Sequence, residues 1–489
     1  MASVADMSGS DSIPTGSFTL RGPYGRRAIG LSIAAAVGGF LFGFDSSVIN
    51  GAVDSIQHDF ALNPVITGFV VAIALLGCAV GAVVAGNLAD RWGRLRVMLL
   101  GGVMFFVSSI GAGLCVTVWD LGFWRVIGGL GIGIASVVAP AYISEIAPRQ
   151  IRGGLASLQQ LAITLGIFVA LLSDAVLASS AGGADSVLWF GMPAWRWMFI
   201  VGAIPAAVYG ILSFTVPESP RFLIAKGRAD EAREIFSRLV PAADLDKTMN
   251  ELTHAIEADR KNAGVSLRGP VLGLQPIVWI GIILSVFQQF VGINVIFYYS
   301  TTLWHSVGFT NAPLISVITS VTNVLVTIIA IVLVDRVGRK PILLTGSALM
   351  TVALGAMALS FTFATTNAQG EVSLGAPWGP VALIAANVFV VGFGASWGPL
   401  VWVLLGEIFP SRIRGKALGV AAGAQWIANF LITVTFPAMS SWSLPFTYGM
   451  YAFFALLSFV FVFWRIPETK GMELEQTETL FVRKAKTAG

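Results

Sequence analysis

Twelve apolar runs of membrane-spanning length dominate this chain, and they leave it few ways to fold. They fall at about 28–50, 65–88, 97–118, 121–143, 154–178, 195–216, 274–300, 312–334, 341–364, 379–406, 416–438 and 445–466. A helix needs about 20 apolar residues to cross a hydrocarbon core. It is also one of the few structures that satisfies its backbone there. Of the 489 residues, 56% are hydrophobic and 11% charged, against about 25% charged in a soluble protein. The reading is an all-α polytopic membrane protein in a lipid bilayer.

The net charge of +4 is not a nucleic-acid footprint, because the basic residues sit in short loops. Arg21, Arg26 and Arg27 precede the first span, and Arg91, Arg94 and Arg96 join the second to the third. Arg149 and Arg152 follow the fourth, Arg336, Arg339 and Lys340 the eighth, and Arg412, Arg414 and Lys416 the tenth. Lys470, Arg483, Lys484 and Lys486 follow the last, while the alternate loops hold almost none, Arg196 excepted. By the positive-inside rule both termini are cytoplasmic, and the chain reads as a multi-pass protein of the plasma (inner) membrane. The first 20 or so residues lack an apolar stretch and read as a disordered tail, not a signal peptide. Cys78 and Cys115 lie in apolar runs and read as core residues.

The chain repeats itself. Asp90-Arg91-Trp92-Gly93-Arg94 recurs 245 residues later as Asp335-Arg336-Val337-Gly338-Arg339. Glu145-Ile146-Ala147-Pro148 with Ile151-Arg152-Gly153 recurs as Glu407-Ile408-Phe409-Pro410 with Ile413-Arg414-Gly415. Pro217-Glu218-Ser219-Pro220 is echoed by Pro467-Glu468-Thr469-Lys470. Three pairs in one order mark a duplicated six-span unit, the architecture of transporters with a midplane site between halves. The expected divisions are a tail at 1–24, halves at 25–218 and 274–468, a linker at 219–273 and a tail at 469–489. Apolar residues at helical spacing predict short amphipathic cytoplasmic helices in the linker.

Polar groups inside the spans single out functional candidates, since each costs free energy in hydrocarbon without a partner. Gln288, Gln289, Asn294 and Tyr298 in span 7 can line a broad polar wall. Amides and hydroxyls that donate and accept suit a neutral polyhydroxylated solute; such groups also hold helices together. Asp45 in span 1 needs a partner, and Arg125 of span 4 is the intramembrane base in that half. Protonation of Asp45 releases Arg125, and deprotonation restores the pair; the alternative is a static salt bridge. Gly398-Pro399 in span 10 weakens its helix locally and predicts either a hinge or a packing kink.

Asp-Arg-x-Gly-Arg in both halves, Pro217-Glu218-Ser219-Pro220-Arg221, the stretch from Gln288 to Ser300 and Pro467-Glu468-Thr469-Lys470-Gly471 together resemble the sugar porters of the major facilitator superfamily. The resemblance covers nearly everything from Gly38 onward. It implies the major facilitator fold and sugar contacts at Gln160, Gln288, Gln289, Asn294, Tyr298, Asn323, Trp402, Gln425 and Trp426, with Phe42 and Phe393 at the cavity edge. Amides would meet hydroxyls, and aromatic faces the C–H face of the ring. Ile167 stands where the xylose symporters of this family carry a further glutamine and the glucose facilitators an aliphatic residue, which favours a hexose. Asp45 matches the proton-binding aspartate of the symporters, with Arg125 its partner. Asp90, Arg91, Arg94, Glu145, Arg152 and Glu218, with Asp335, Arg336, Arg339, Glu407, Arg414 and Glu468, match charge sets that bridge cytoplasmic helix ends. The basic members alone could instead serve only to fix topology.

No phosphate-binding Gly-x-x-x-x-Gly-Lys motif marks an ATP-driven pump. Gly129-Leu130-Gly131-Ile132-Gly133 lies in a span and reads as close helix packing. Three histidines without a cluster suggest no metal, and no nucleophile–base pair suggests an enzyme; no cofactor is expected. The expected function is proton-coupled uptake of a monosaccharide, D-glucose or another hexose, by a functional monomer. Rivals are a sugar uniporter, a xylose–proton symporter and a non-transporting sugar sensor.

Overall fold

The computed structural model describes residues 22–147, 152–262, 266–366, 372–410 and 413–468. The terminal tails expected before and after the spans lie almost wholly outside the described residues. Twelve helices among those described are long and apolar enough to cross a membrane. In chain order, spans 1 to 6 are Pro23–Val48, Pro64–Trp92, Arg94–Gly113, Val118–Ile146, Leu158–Ala181 and Ala194–Ser213. Spans 7 to 12 are Pro276–Tyr298, Ala312–Ile331, Arg339–Phe361, Trp378–Ile408, Lys416–Trp442 and Leu444–Arg465. Several open on proline in the first turn, where its missing N–H costs nothing.

Close backbone approach sets the packing of the first half. Gly129 and Gly133 of span 4 lie against the carbonyls of Ala74 and Cys78 in span 2. Neither position has room for a Cβ, so the glycine run acts in helix packing, as its place in a span implied. This approach brings span 2 beside Arg125, whose Nη2 lies 3.5 Å from the Val71 carbonyl.

Three spans are interrupted, span 6 only at Gly202, between helices Ala194–Val201 and Ala203–Ser213. Span 7 stops at Phe290, turns through Gly292 in left-handed conformation (φ 82°), and resumes at Ile293–Tyr298 and Ser300–Ser306. Span 10 is interrupted at Ala395 and Ser396, between helices Trp378–Gly394 and Trp397–Ile408. Gly398-Pro399, expected to weaken the middle of this span, instead sits in the first turn of the second helix. Proline is tolerated there, so the pair starts a helix rather than bending one.

The linker folds as helices Pro220–Ala225, Ala229–Ser237 and Ala242–Asn262. Phe222, Leu223 and Ala232 form their small apolar core. Arg228–Glu231, Arg238–Glu234 and Arg233–Asp246 pair on the exposed side. Arg196, the basic exception in the charge pattern, donates to the carbonyls of Gly113 (3.2 Å) and Cys115 (2.6 Å) at the end of span 3. A cation there complements the helix C-terminus.

Candidate substrate and coupling site

The amides of span 7 form a chain. Asn294 Nδ2 donates to Gln289 Oε1. Gln289 Nε2 reaches Gln288 Oε1 at 3.4 Å. Gln288 Nε2 in turn donates to the carbonyls of Trp397 (2.9 Å) and Gly398 (3.3 Å). Gln288 therefore serves the broken backbone of span 10 in this conformation, rather than standing free towards a solute. These carbonyls belong to the first turn of the second helix, so the amide adds a side-chain donor to acceptors the helix itself also uses. Trp397 Nε1 extends the network to Ser347 Oγ at 2.8 Å.

The other expected contacts spread over five spans. Asn323 of span 8 is buried, and its Oδ1 lies beside Gly394, where the first helix of span 10 ends. Phe393 packs over Gly398. Trp426 of span 11 meets Phe42 of span 1 edge to face, with ring centroids 5.4 Å apart, an aromatic contact between halves. Gln425 buries its Oε1 without a hydrogen-bond partner, an acceptor left open for a donor hydroxyl. Gln160 is half-buried, while Trp402 is 43% exposed. Ile167 is buried in span 5 against Gly43 of span 1.

Asp45 and Arg125 meet as expected. Arg125 Nη1 lies 2.9 Å from Asp45 Oδ1, and both side chains are buried. Arg125 Nε has no hydrogen-bond partner, so the guanidinium is incompletely satisfied. Phe42, Asp45, Ser46, Arg125 and Tyr298 line one cavity of about 10 Å³, the scale of a single water. Tyr298 belongs to the span-7 wall, so the ion pair and that wall share one space.

The two charged clusters correspond in detail. Arg94 pairs with Glu145 at 2.9 Å and with Asp90 at 3.0 Å. Glu218 accepts from the backbone N–H of Arg94 at 2.9 Å and of Leu95 at 3.5 Å. In the second half Arg339 pairs with Glu407 at 3.0 Å. Glu468 accepts from the N–H groups of Arg339 (2.9 Å) and Lys340 (3.0 Å). Each glutamate thus caps the start of span 3 or span 9 with a carboxylate, where the helix dipole favours one. Arg91 is exposed. The side chains of Arg152, Asp335, Arg336 and Arg414 lie outside the described residues.

At the end opposite these clusters the halves are tied together by residues that no sequence motif marks. Asn50 Nδ2 donates to the Phe297 carbonyl, and Asn50 Oδ1 accepts from Thr301 N–H, both at 2.9 Å. Asp54 accepts from Thr302 Oγ1 at 2.7 Å and lies 3.2 Å from His305 Nδ1. Asn50 is a lone amide at the end of a span, and that was the available signal. Its partners lie nearly 250 residues away.

The sequence matches the model of the family described as "Sugar (and other) transporter" over residues 31–481. It is 51% identical to a glucose transport protein of Synechocystis, across 91% of this chain and 96% of that protein. It is 36% identical to the D-xylose-proton symporter of Escherichia coli, across 93% and 96%. The structure resembles a proton:xylose symporter of the major facilitator superfamily bound to 6-bromo-6-deoxy-D-glucose, with TM-score 0.77, 36% identity, and coverage of 93% of this chain and 99% of that one. It also resembles the inward open conformation of the xylose transporter from E. coli, with TM-score 0.78 at 34% identity and the same coverage. With the family model, these relatives and the shared fold all in agreement, this chain belongs to the sugar transporters of the major facilitator superfamily.

Proposed function

We propose that this protein is a proton–monosaccharide symporter that takes up a hexose, D-glucose first among them, by alternating access. The observation that carries the reading is the shared cavity: the Asp45–Arg125 pair opens onto the same space as Phe42 and Tyr298 of the sugar-facing wall. A proton on Asp45 would free Arg125 and change the polarity of that wall, tying proton binding to sugar binding. A neutral sugar needs no charged ligand, and the proposed set of Gln160, Gln288, Gln289, Asn294, Asn323, Gln425, Trp426 and Trp402 supplies none. Ile167, aliphatic and buried, supports a hexose over xylose. In this reading the charged end is cytoplasmic, the membrane is the plasma (inner) membrane, and the working unit is a monomer. The charged clusters brace that face when the carrier opens outward.

The test is proton movement into proteoliposomes on adding D-glucose, beside an Asp45→Asn variant assayed for proton flux and sugar exchange. External alkalinisation with the wild type, and exchange without proton flux in the variant, supports the proposal. Glucose exchange by the wild type without proton movement would make the protein a uniporter. Proton-coupled flux with xylose but not glucose keeps symport and removes the hexose assignment.

A further inference from the structure

Span 5 carries a second intramembrane carboxylate, Asp174, that the coupling scheme does not use. The residue is 4% exposed, no side-chain donor reaches either oxygen, and the nearest donor is the backbone N–H of Gly51. It lies under the end of span 1. A Cβ on Gly51 would fall 2.7 Å from Asp174 Cβ and 2.9 Å from Oδ2. The residue before Gly51 is Asn50, whose amide ties the halves at the end opposite the charged clusters. A carboxylate that is buried and unpaired is among the costliest groups in a protein, and its neutral acid is far cheaper.

The charged groups on the elements around it are engaged elsewhere. Span 1 brings Asp45, held by Arg125 of span 4. Span 6 brings Arg196, hydrogen-bonded to the carbonyls of Gly113 and Cys115. On the short helix after span 1, Asp54 meets Thr302 and His305, and Asp59 accepts from Trp195 Nε1 at 2.9 Å. Span 8 carries Asp335 and Arg336 only beyond its opposite end. Asp185 follows span 5 in the next loop.

We propose that Asp174 is a proton-operated latch on the exterior closure, separate from the coupling carboxylate. Span 1 closes over span 5 only when Asp174 carries a proton, taken from the exterior medium while that end is open. The proton returns to the same medium on reopening. Asp174 therefore moves no net charge and leaves the ratio of protons to sugar unchanged. Exterior acidity would favour closure at Asn50, and exterior alkalinity would hold the carrier open. The assignment of that end to the exterior rests on the function proposed above; the latch itself does not depend on which sugar is carried or on Asp45.

The experiment places spin labels on cysteines at Val65 and Leu314, which start span 2 and span 8 and are 63% and 57% exposed. The native Cys78 and Cys115 are buried and out of reach of the label. Asp45→Asn removes the coupling carboxylate, and the label distance is followed from acid to alkaline pH. The expected result is a short distance in acid and a growing longer population in alkali, changing by up to about tenfold in ratio per pH unit. His305→Gln keeps most of this slope, whereas Asp174→Asn, and Asp174→Leu as a second neutral variant, abolish it and hold the short distance throughout. A distance independent of pH before Asp174 is altered, or a slope that survives both neutral variants, overturns the latch. Failure of symport would appear instead as absent proton flux in the wild type, with the latch slope intact.

Discussion

The two halves of this carrier are alike at the charged end and unlike in the middle of the membrane. Arg94, Glu145 and Glu218 reappear as Arg339, Glu407 and Glu468 with nearly the same distances. In the midplane the first half holds a buried ion pair and the second a chain of amides. The ends of a duplicated unit face the same problem twice: capping a helix and holding three helix termini together. In the proposed function the centre faces two different problems, moving a proton and holding a neutral solute. Similarity there would serve neither. The contrast also has a gradient. In the pair at the first charged cluster both side chains are 9% exposed, against 13% and 26% in the second, so the first cluster lies in drier surroundings and its loss should weigh more.

The comparison breaks most sharply at Arg125. Arg125→Ala leaves Asp45 buried without its cation and is expected to cost about 3–5 kcal/mol of stability, read as a lower melting temperature in detergent. The double variant Arg125→Ala with Asp45→Ala should recover much of it. A single variant that melts like wild type would mean the pair is not the buried one described. Next comes Gln288→Ala, which removes a side-chain donor from two carbonyls in the first turn of the second span-10 helix. The expected loss is about 1.5 kcal/mol, together with weaker sugar binding. If binding weakens while the melting temperature holds, the amide serves the solute rather than the backbone.

Smaller effects sharpen the symmetry of the ends. Glu218→Gln and Glu468→Gln each replace a charged cap by a neutral one and should cost about 1 kcal/mol apiece. A much larger effect in one half would show that the two clusters are not equivalent in load. Smallest of all is the linker surface. The Glu231 carboxyl is held below its usual range by the hydrogen bond from Arg228. Its contribution is therefore present above the ordinary carboxylate range and lost as pH falls through the lowered value. Both groups are fully exposed, so Glu231→Gln should leave the melting temperature unchanged at neutral pH.

Particular residues show where the reading of the sequence stopped. The spans, the duplicated charges and the pairing of Asp45 with Arg125 were legible. Gly398-Pro399 marked the right part of span 10, but the break falls at Ala395 and Ser396. A proline in a first turn and one in mid-helix look the same until the helix start is known. Gln288 was legible as a polar group needing a partner, but not as one whose partners are main-chain carbonyls more than 100 residues on. Asp174 satisfied the same rule that singled out Asp45, but Arg125 was already matched to Asp45, and no motif of the resemblance included Asp174.

Sequence by itself determined which segments enter the membrane, because transfer into hydrocarbon is a sum of local terms along about 20 residues. It also determined the repeat, which needs only the order of residues. Tertiary structure alone decided which amide turns to a carbonyl and that the side-chain oxygen of Gln425 stays open. It alone showed that Asn50 closes one end against Phe297 and Thr301. Those choices depend on distances of about 3 Å between residues far apart in the chain, and hydrogen-bond energy falls away within a fraction of that length.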